Sequence, residues 1–356
     1  MSRSAPRRRA ERPPSRRARV AAGLRARGER FAGSRAPVVL WVLTVAAGLG
    51  ALVACTADVG PAWLCDAGAV AVVTSYSWGL AARTGGRPVV VGLLALVLGV
   101  GVVVLDHEAL RTGAAVLTGV VTAVLAVMAT VPAVRFVHAV REVLVAVVVA
   151  AIGALAVVAF EPVATVARFE YAVLGLGLVG AFAVVYRLGA GLHGLGRRGV
   201  LTVLIGTVVL AGTLAYAELL RRYGTPTLVD NLFDGVDWSR DHFGAFPRPL
   251  ETVLGVPALA WGTHMRARRR QGWWVCAFGV AATAPVATTL VNPVVSLQEA
   301  GLATAYGVVV GLVLGFVVVR LDLALTAPSG SKGSRGRRAE EATALRPEPP
   351  RTRPLL

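Results

Sequence analysis

The sequence predicts an all-α fold, that of a polytopic integral membrane protein. The 356 residues are 55% hydrophobic and only 16% charged, whereas soluble domains carry about 25% charged residues. Apolar runs of about 17 to 22 residues recur from residue 37 to residue 321, which is the length a helix needs to cross a hydrocarbon core of ~30 Å. In lipid the backbone must satisfy its own hydrogen bonds, so these runs indicate helices.

Ten segments are long and apolar enough to be candidate spans. The eighth is the weakest, because it is short and carries Pro257 and Trp261. The spans are 37–55, 62–82, 88–105, 112–131, 141–160, 171–187, 199–218, 250–264, 272–292 and 300–321.

The basic residues support this count and give an orientation. With the amino-terminal end in the cytoplasm, 31 of the 37 Lys and Arg residues fall on the inner side of the ten-span arrangement, as the positive-inside rule expects. Thirteen of the 20 acidic residues fall on the outer side. We therefore predict that both ends of the chain are cytoplasmic and that the protein lies in the plasma membrane. The preference for Arg over Lys favours a bacterial source.

The net charge of +17 comes mainly from the ends of the chain. Residues 1–36 and 322–356 are basic and lack apolar periodicity, so we predict disordered cytoplasmic tails on either side of a helical bundle, 37–321. Beside a membrane, such charge favours contact with anionic lipid head groups. We expect membrane lipids as partners and no nucleic acid.

Two of the three cysteines, Cys55 and Cys65, lie near the outer ends of the first two spans. The outer side of a membrane is oxidising, so we expect that they could pair in a disulfide. The alternatives are two free thiols, or lipidation of Cys55, because Leu52 to Cys55 is similar to a lipoprotein processing signal.

Polar residues at membrane depth are costly and often functional. The second span carries a polar run and the ninth contains prolines with neighbouring hydroxyls, a pattern typical of kinked helices that line transport sites. The alternative is that the hydroxyls bond only their own helix. The candidate seam consists of Asp66, Ser75, Tyr76, Thr288 and Asn292.

The long outer connection, 219–249, gathers four aspartates. At helical spacing its apolar residues fall in one sector and its aspartates in another, so we predict an amphipathic helix over 227–242 on the membrane surface. This helix could be a lid, a catalytic face or a solvated acidic surface. The candidate outer-face residues are Asp230, Asp234, Asp237, Asp241 and His242.

The tenth span carries a stripe of small residues, Gly307, Gly311 and Gly315. Such a stripe favours close helix packing, either within the chain or with a second copy or a partner membrane protein. The motif Gly175-x-Gly177-x-x-Gly180 lies inside a span, where it does not indicate dinucleotide binding. Neither a Walker A motif nor zinc-ligand spacing is present, so we expect no cofactor and no metal.

These features favour a transporter, permease or flippase for a small or lipid-linked solute that is not driven by ATP on its own. The alternatives are a membrane-embedded transferase or hydrolase that acts on a lipid-linked substrate at the outer face, or a non-catalytic scaffold. The substrate does not follow from the residues.

Overall fold

The structure, a computed structural model, describes residues 34–190, 192–269, 271–326 and 348–355. Most of the two predicted tails, 1–33 and 327–347, therefore lies outside the described residues. The chain divides at Thr44 into a small first unit and a second unit, Val45–Leu356, that holds every helix after the first turns of α1. The described residues contain helices and no strand.

The helices follow one another with short connections, and two of them adjoin π-helical turns, Tyr186–Ala190 and Glu251–Gly255. The α-helices are α1 Ala36–Thr56, α2 Trp63–Arg83, α3 Pro88–Leu105, α4 Glu108–Met128, α5 Phe136–Ala159, α6 Val166–Val185, α7 Leu192–Tyr223, α8 Pro226–Phe243, α9 Val256–Arg266, α10 Gly272–Ala277, α11 Val280–Val291 and α12 Leu297–Thr326.

The predicted all-α polytopic membrane fold is confirmed. Within the described part of the chain, eight helical segments are long and apolar enough to cross a membrane. The other two predicted spans are also helical. One is α2, which is long enough but more polar, and the other is the second π turn with α9, which has only 11 residues in its α-helical part. The count of ten spans remains a prediction, and so does the side of the membrane on which each end of the chain lies.

The outer surface of the bundle is apolar. Large side chains of α3 and α7 point away from the other helices, and Val97 and Val208 are 60% and 61% exposed. Water would not favour so much continuous apolar surface, whereas lipid chains would cover it.

Alternate helix ends meet at two opposite faces of the second unit. At one of them the N–H of Val163 donates to Thr112 Oγ1 at 2.9 Å, and at the other the N–H of Ala133 donates to the carbonyl of Thr263 at 3.0 Å. We call the first the disulfide face, which comprises Cys55, Cys65 and residues 57–62, 106–107, 160–165, 244–249 and 292–296. We call the second the arginine face, which comprises residues 83–87, 129–135, 264–269 and 348–355.

The core consists of α9, α10 and α11, which pack among α5, α6 and α12. Almost every residue from 254 to 266 and from 272 to 289 is buried. Glycines allow this close packing: a Cβ added at Gly255 would lie 2.1 Å from the backbone nitrogen of Ala282. The weakest predicted span is thus enclosed by other helices, which fits its content of small residues.

Candidate functional site

A group of charged and polar side chains lies near the disulfide face, with two of its members buried and two partly exposed. It comes from α6, the second π turn with the residues before it, and α11. We call it the Arg248 cluster, and it consists of Glu170, Arg248, Glu251 and Thr288. These elements meet there because the π turn packs against both α11 and α12.

Glu251 is the deepest member of the cluster. Its side chain is fully buried, and neither carboxylate oxygen receives a hydrogen bond from any described residue. It contacts Gly307, where an added Cβ would lie 2.9 Å from the carboxyl carbon of Glu251. Gly307 lies ten residues into α12, so the Glu251 side chain is enclosed between the second π turn and that helix.

Arg248 connects the cluster to its surroundings. Its Nη1 lies 3.3 Å from Thr288 Oγ1 and 3.4 Å from the carbonyl oxygen of Pro285, and it pairs at 3.9 Å with Glu170. Burial lowers the pKa of Arg248, and electrostatic attraction to Glu170 and Glu251 opposes that change. The guanidinium thus interacts with two carboxylates but donates a hydrogen bond of good length to neither.

The proline within α11 shapes this site. Pro285 has no N–H, so it removes one hydrogen bond from its own helix. Its carbonyl accepts hydrogen bonds from the hydroxyls of Thr288 and Thr289 at 3.2 and 2.6 Å. The same carbonyl faces Arg248, so the proline region of the ninth predicted span does contribute to a polar site.

The structure does not bring the five residues of the predicted seam together. The seam residues on α2 contact α4, α5 or their own helix: Asp66 pairs with Arg111 at 3.2 Å, Ser75 donates to the carbonyl of Ala71, and the Tyr76 hydroxyl donates to the carbonyl of Val149 at 3.0 Å. On α11, Thr288 lies in the Arg248 cluster, whereas Asn292 ends the helix and accepts from the N–H of Val294. Helix α2 lies against α3, α4 and α5, whereas α11 lies against α4, α5, α6 and the second π turn.

The predicted outer-face residues lie on α8, whose observed range, Pro226–Phe243, is close to the predicted 227–242. The aspartates are all exposed, and the described residues contain no group of three or more His, Cys, Asp or Glu side chains suited to a metal. His242 stacks on Trp238 with ring centres 4.7 Å apart. Dispersed, solvated carboxylates do not form a catalytic pocket. The four aspartates are Asp230, Asp234, Asp237 and Asp241.

The apolar side of α8 is also open. Leu232 and Phe233 are 40% and 61% exposed, while Arg240 anchors the end of the helix to Glu299 at 3.0 Å. An amphipathic helix with an uncovered apolar side beside a membrane protein is suited to the head-group boundary.

The glycine stripe of α12 packs within the chain. An added Cβ would lie 2.6 Å from Val256 at Gly311 and 3.0 Å from Ala260 at Gly315. Together with the contact between Gly307 and Glu251, the stripe lets α12 lie directly on the second π turn and α9. Cys55 and Cys65, at the ends of α1 and α2, form a disulfide.

The sequence pattern does not single out Glu251, because a helix start is an ordinary place for a charge. A usable signal was present: Glu251 lies inside an apolar segment, 250–264, whose only other ionisable residue is His264. A lone acid in such a segment indicates a functional site by default.

No known family model, characterised sequence or solved structure matches this chain.

Proposed function

We propose that this multi-pass membrane protein is an ion-coupled transporter, in which Glu251 binds the coupling proton. The observation that carries the proposal is the fully buried carboxylate of Glu251, which receives no hydrogen bond from the described residues. An ionised carboxylate without donors is costly in an apolar interior. A proton or a cationic ligand at this position removes that cost, so the site is suited to the reversible binding of a positive charge.

Arg248 supports the same role. A cation at Glu251 would weaken the attraction between Glu251 and Arg248, and the guanidinium could then shift towards Glu170, which lies 3.9 Å from its Nη1. The arginine can therefore exchange one carboxylate partner, Glu251, for the other, Glu170. This exchange would couple ion binding to a change in the packing of α6, α11 and α12.

The buried acid of the Arg248 cluster fits transport better than catalysis at the outer face. A catalytic site at the outer face would need the aspartates of α8 in one pocket, and they are exposed along the helix. Since the sequence contains no ATP-binding motif, we infer that the driving force is an ion gradient. We propose a small solute or a lipid-linked solute as the substrate, and the plasma membrane as the location.

The test compares strains that lack the gene and carry a plasmid copy of the wild type, Glu251→Gln or Glu108→Gln. Glu108 is exposed at the start of α4 and provides the matched control. Small solutes and lipid-linked intermediates inside and outside the cells are profiled by mass spectrometry, and membrane levels of each variant are measured in parallel.

We expect at least one solute to change its distribution in the deletion strain. The wild type and Glu108→Gln should restore it, and Glu251→Gln should not, at equal membrane levels. Identical profiles with and without the gene, or full restoration by Glu251→Gln, would refute the proposal.

A further inference from the structure

A short segment from the end of the chain, residues 348–355, lies on the arginine face and contacts three buried charged residues of the helices. Glu348 pairs with Arg266 at 2.6 Å, and Arg351 pairs with Glu142 at 2.6 Å. The side chains of Arg266 and Glu142 are fully buried. Two oppositely charged residues of the segment therefore meet two oppositely charged residues of the bundle.

The helices hold each of these partners independently of the segment. Arg266 donates to the hydroxyl and the carbonyl of Thr130 at 2.7 and 3.2 Å, and its guanidinium stacks 3.4 Å above the ring centre of Trp273. Glu142 accepts the N–H of Val131 at 2.9 Å. Because each charge is already oriented, binding requires little rearrangement of the bundle.

Arg83 recognises the backbone of the segment. Its Nη1 donates to the carbonyls of Pro350 and Arg353 at 2.9 and 2.6 Å, and its own carbonyl accepts the N–H of Leu355 at 2.8 Å. The Nε of Arg83 is fixed by the carbonyl of Met128 at 3.0 Å. Backbone hydrogen bonds of this kind fix the alignment of the segment in the site, and the two ion pairs determine which side chains the site accepts.

The composition of the segment suits such a site. Residues 348–355 read Glu-Pro-Pro-Arg-Thr-Arg-Pro-Leu, and prolines restrict the unbound chain to extended conformations, which lowers the entropy lost on binding. With the segment bound, Arg83 and Arg266 are 4% and 0% exposed. Removing a cation from water is costly unless it is paired, so the site favours an occupant that brings an acid to Arg266.

We propose that the arginine face carries a peptide-binding site, formed by Arg83, Glu142 and Arg266, whose ligand is the chain's own segment 348–355. When the segment is bound it covers these residues and closes this face, and when it leaves they become accessible. The segment is thus a tethered ligand that regulates access from this side. The proposal stands independently of transport, because it rests on the contacts at the arginine face alone.

The tether makes a specific prediction about competition. Ligands joined to their site by a short linker reach effective concentrations in the millimolar range. A free copy of the segment should therefore bind the wild-type chain weakly or not at all. It should bind when substitutions in the tethered copy weaken the binding of that copy to the site.

The experiment uses the full chain, purified in detergent, and a fluorescein-labelled synthetic peptide of residues 345–356, with binding followed by fluorescence anisotropy. The wild type is compared with a variant that carries Glu348→Gln and Arg351→Gln in the tethered copy. We expect the variant to bind the peptide at least about tenfold more tightly than the wild type, from the strength of charge-assisted hydrogen bonds. Equal binding to the two proteins, or binding to neither, would overturn the proposal.

A double-mutant cycle identifies the contact. In the same variant, Glu142→Gln keeps an acceptor for the N–H of Val131 but removes the charge that faces Arg351. We expect Glu142→Gln to weaken binding of the peptide about tenfold. A peptide that carries Arg351→Gln should lose no further affinity for the Glu142→Gln protein, because the two changes remove the same interaction. Additive losses would show that the peptide binds elsewhere and would also overturn the proposal. A scrambled peptide serves as the control for charge alone.

Discussion

The carboxylate of Glu251 lies directly against the backbone of Gly307, between the second π turn and α12. An added Cβ at Gly307 would lie 2.9 Å from the carboxyl carbon and 3.1 Å from one carboxylate oxygen of Glu251. The glycine therefore makes the space that the acid occupies, and the two residues form one structural unit.

Replacing Gly307 by Ala should displace Glu251. Inserting a methyl group into a closely packed core costs about 1–3 kcal/mol, so we expect a lower thermal midpoint in detergent together with reduced transport. Gly301 provides the control on the same helix, since an added Cβ there meets nothing within 4 Å. Gly301→Ala should leave the midpoint unchanged or slightly raised, because Ala favours helix more than Gly. A Gly307→Ala protein as stable and active as Gly301→Ala would show that the contact is unimportant.

Replacing Glu251 by Gln should separate stability from function. The carboxylate receives no hydrogen bond from the described residues, so a neutral amide of the same shape removes a cost and breaks no bond. We expect the thermal midpoint to stay equal or to rise, while solute-dependent transport is lost. A purely structural acid would give the opposite result, with a lower midpoint and normal activity in the protein that remains folded.

Removing the disulfide between Cys55 and Cys65 should reduce stability without changing the topology. The two residues are ten positions apart, and closing a loop of this size stabilises by about 2–3 kcal/mol. The double variant with Ser at both positions should melt at a lower temperature in detergent. Intact mass before and after reduction provides a second measurement: the wild type should gain two hydrogens on reduction. No such gain, or a lipid adduct on Cys55, would contradict the disulfide.

The aspartates of α8 should be dispensable for folding. All four are exposed, and substitutions of exposed residues usually change stability by less than about 0.5 kcal/mol. Changing Asp230, Asp234, Asp237 and Asp241 together to Asn should therefore leave expression and thermal midpoint close to the wild type, and transport should persist. Complete loss of function at normal stability would instead favour an active site at the outer face.

The sequence was sufficient to predict the membrane fold, because the length and apolarity of a helix that crosses lipid are set by the bilayer. Helices α3 and α5 illustrate this: their observed ends, Pro88–Leu105 and Phe136–Ala159, lie near the predicted 88–105 and 141–160. Each segment meets the length and apolarity that lipid requires by itself, so a span can be predicted without knowing which helices pack against it.

The candidate site required the tertiary arrangement. The predicted seam paired Tyr76 with Asn292 because both lie in polar stretches of apolar spans, but spacing along a chain does not tell which helices touch. Glu251 became significant only through its burial against Gly307, and Gly307 belongs to a stripe that sequence alone could assign equally to contacts within or between chains. Likewise, the partner of Arg266 lies 82 residues away in Glu348, in a part of the chain whose composition predicts disorder.

The most direct test of the central claim measures proton movement in proteoliposomes. Purified wild type, Glu251→Gln and Glu108→Gln are reconstituted into vesicles that contain a pH-sensitive dye, and fractions of small solutes and lipid-linked intermediates from cells are added outside. The account predicts that at least one fraction changes the internal pH with the wild type and with Glu108→Gln, and that the change is absent with Glu251→Gln. No response to any fraction with the wild type, or an equal response with Glu251→Gln, would contradict it.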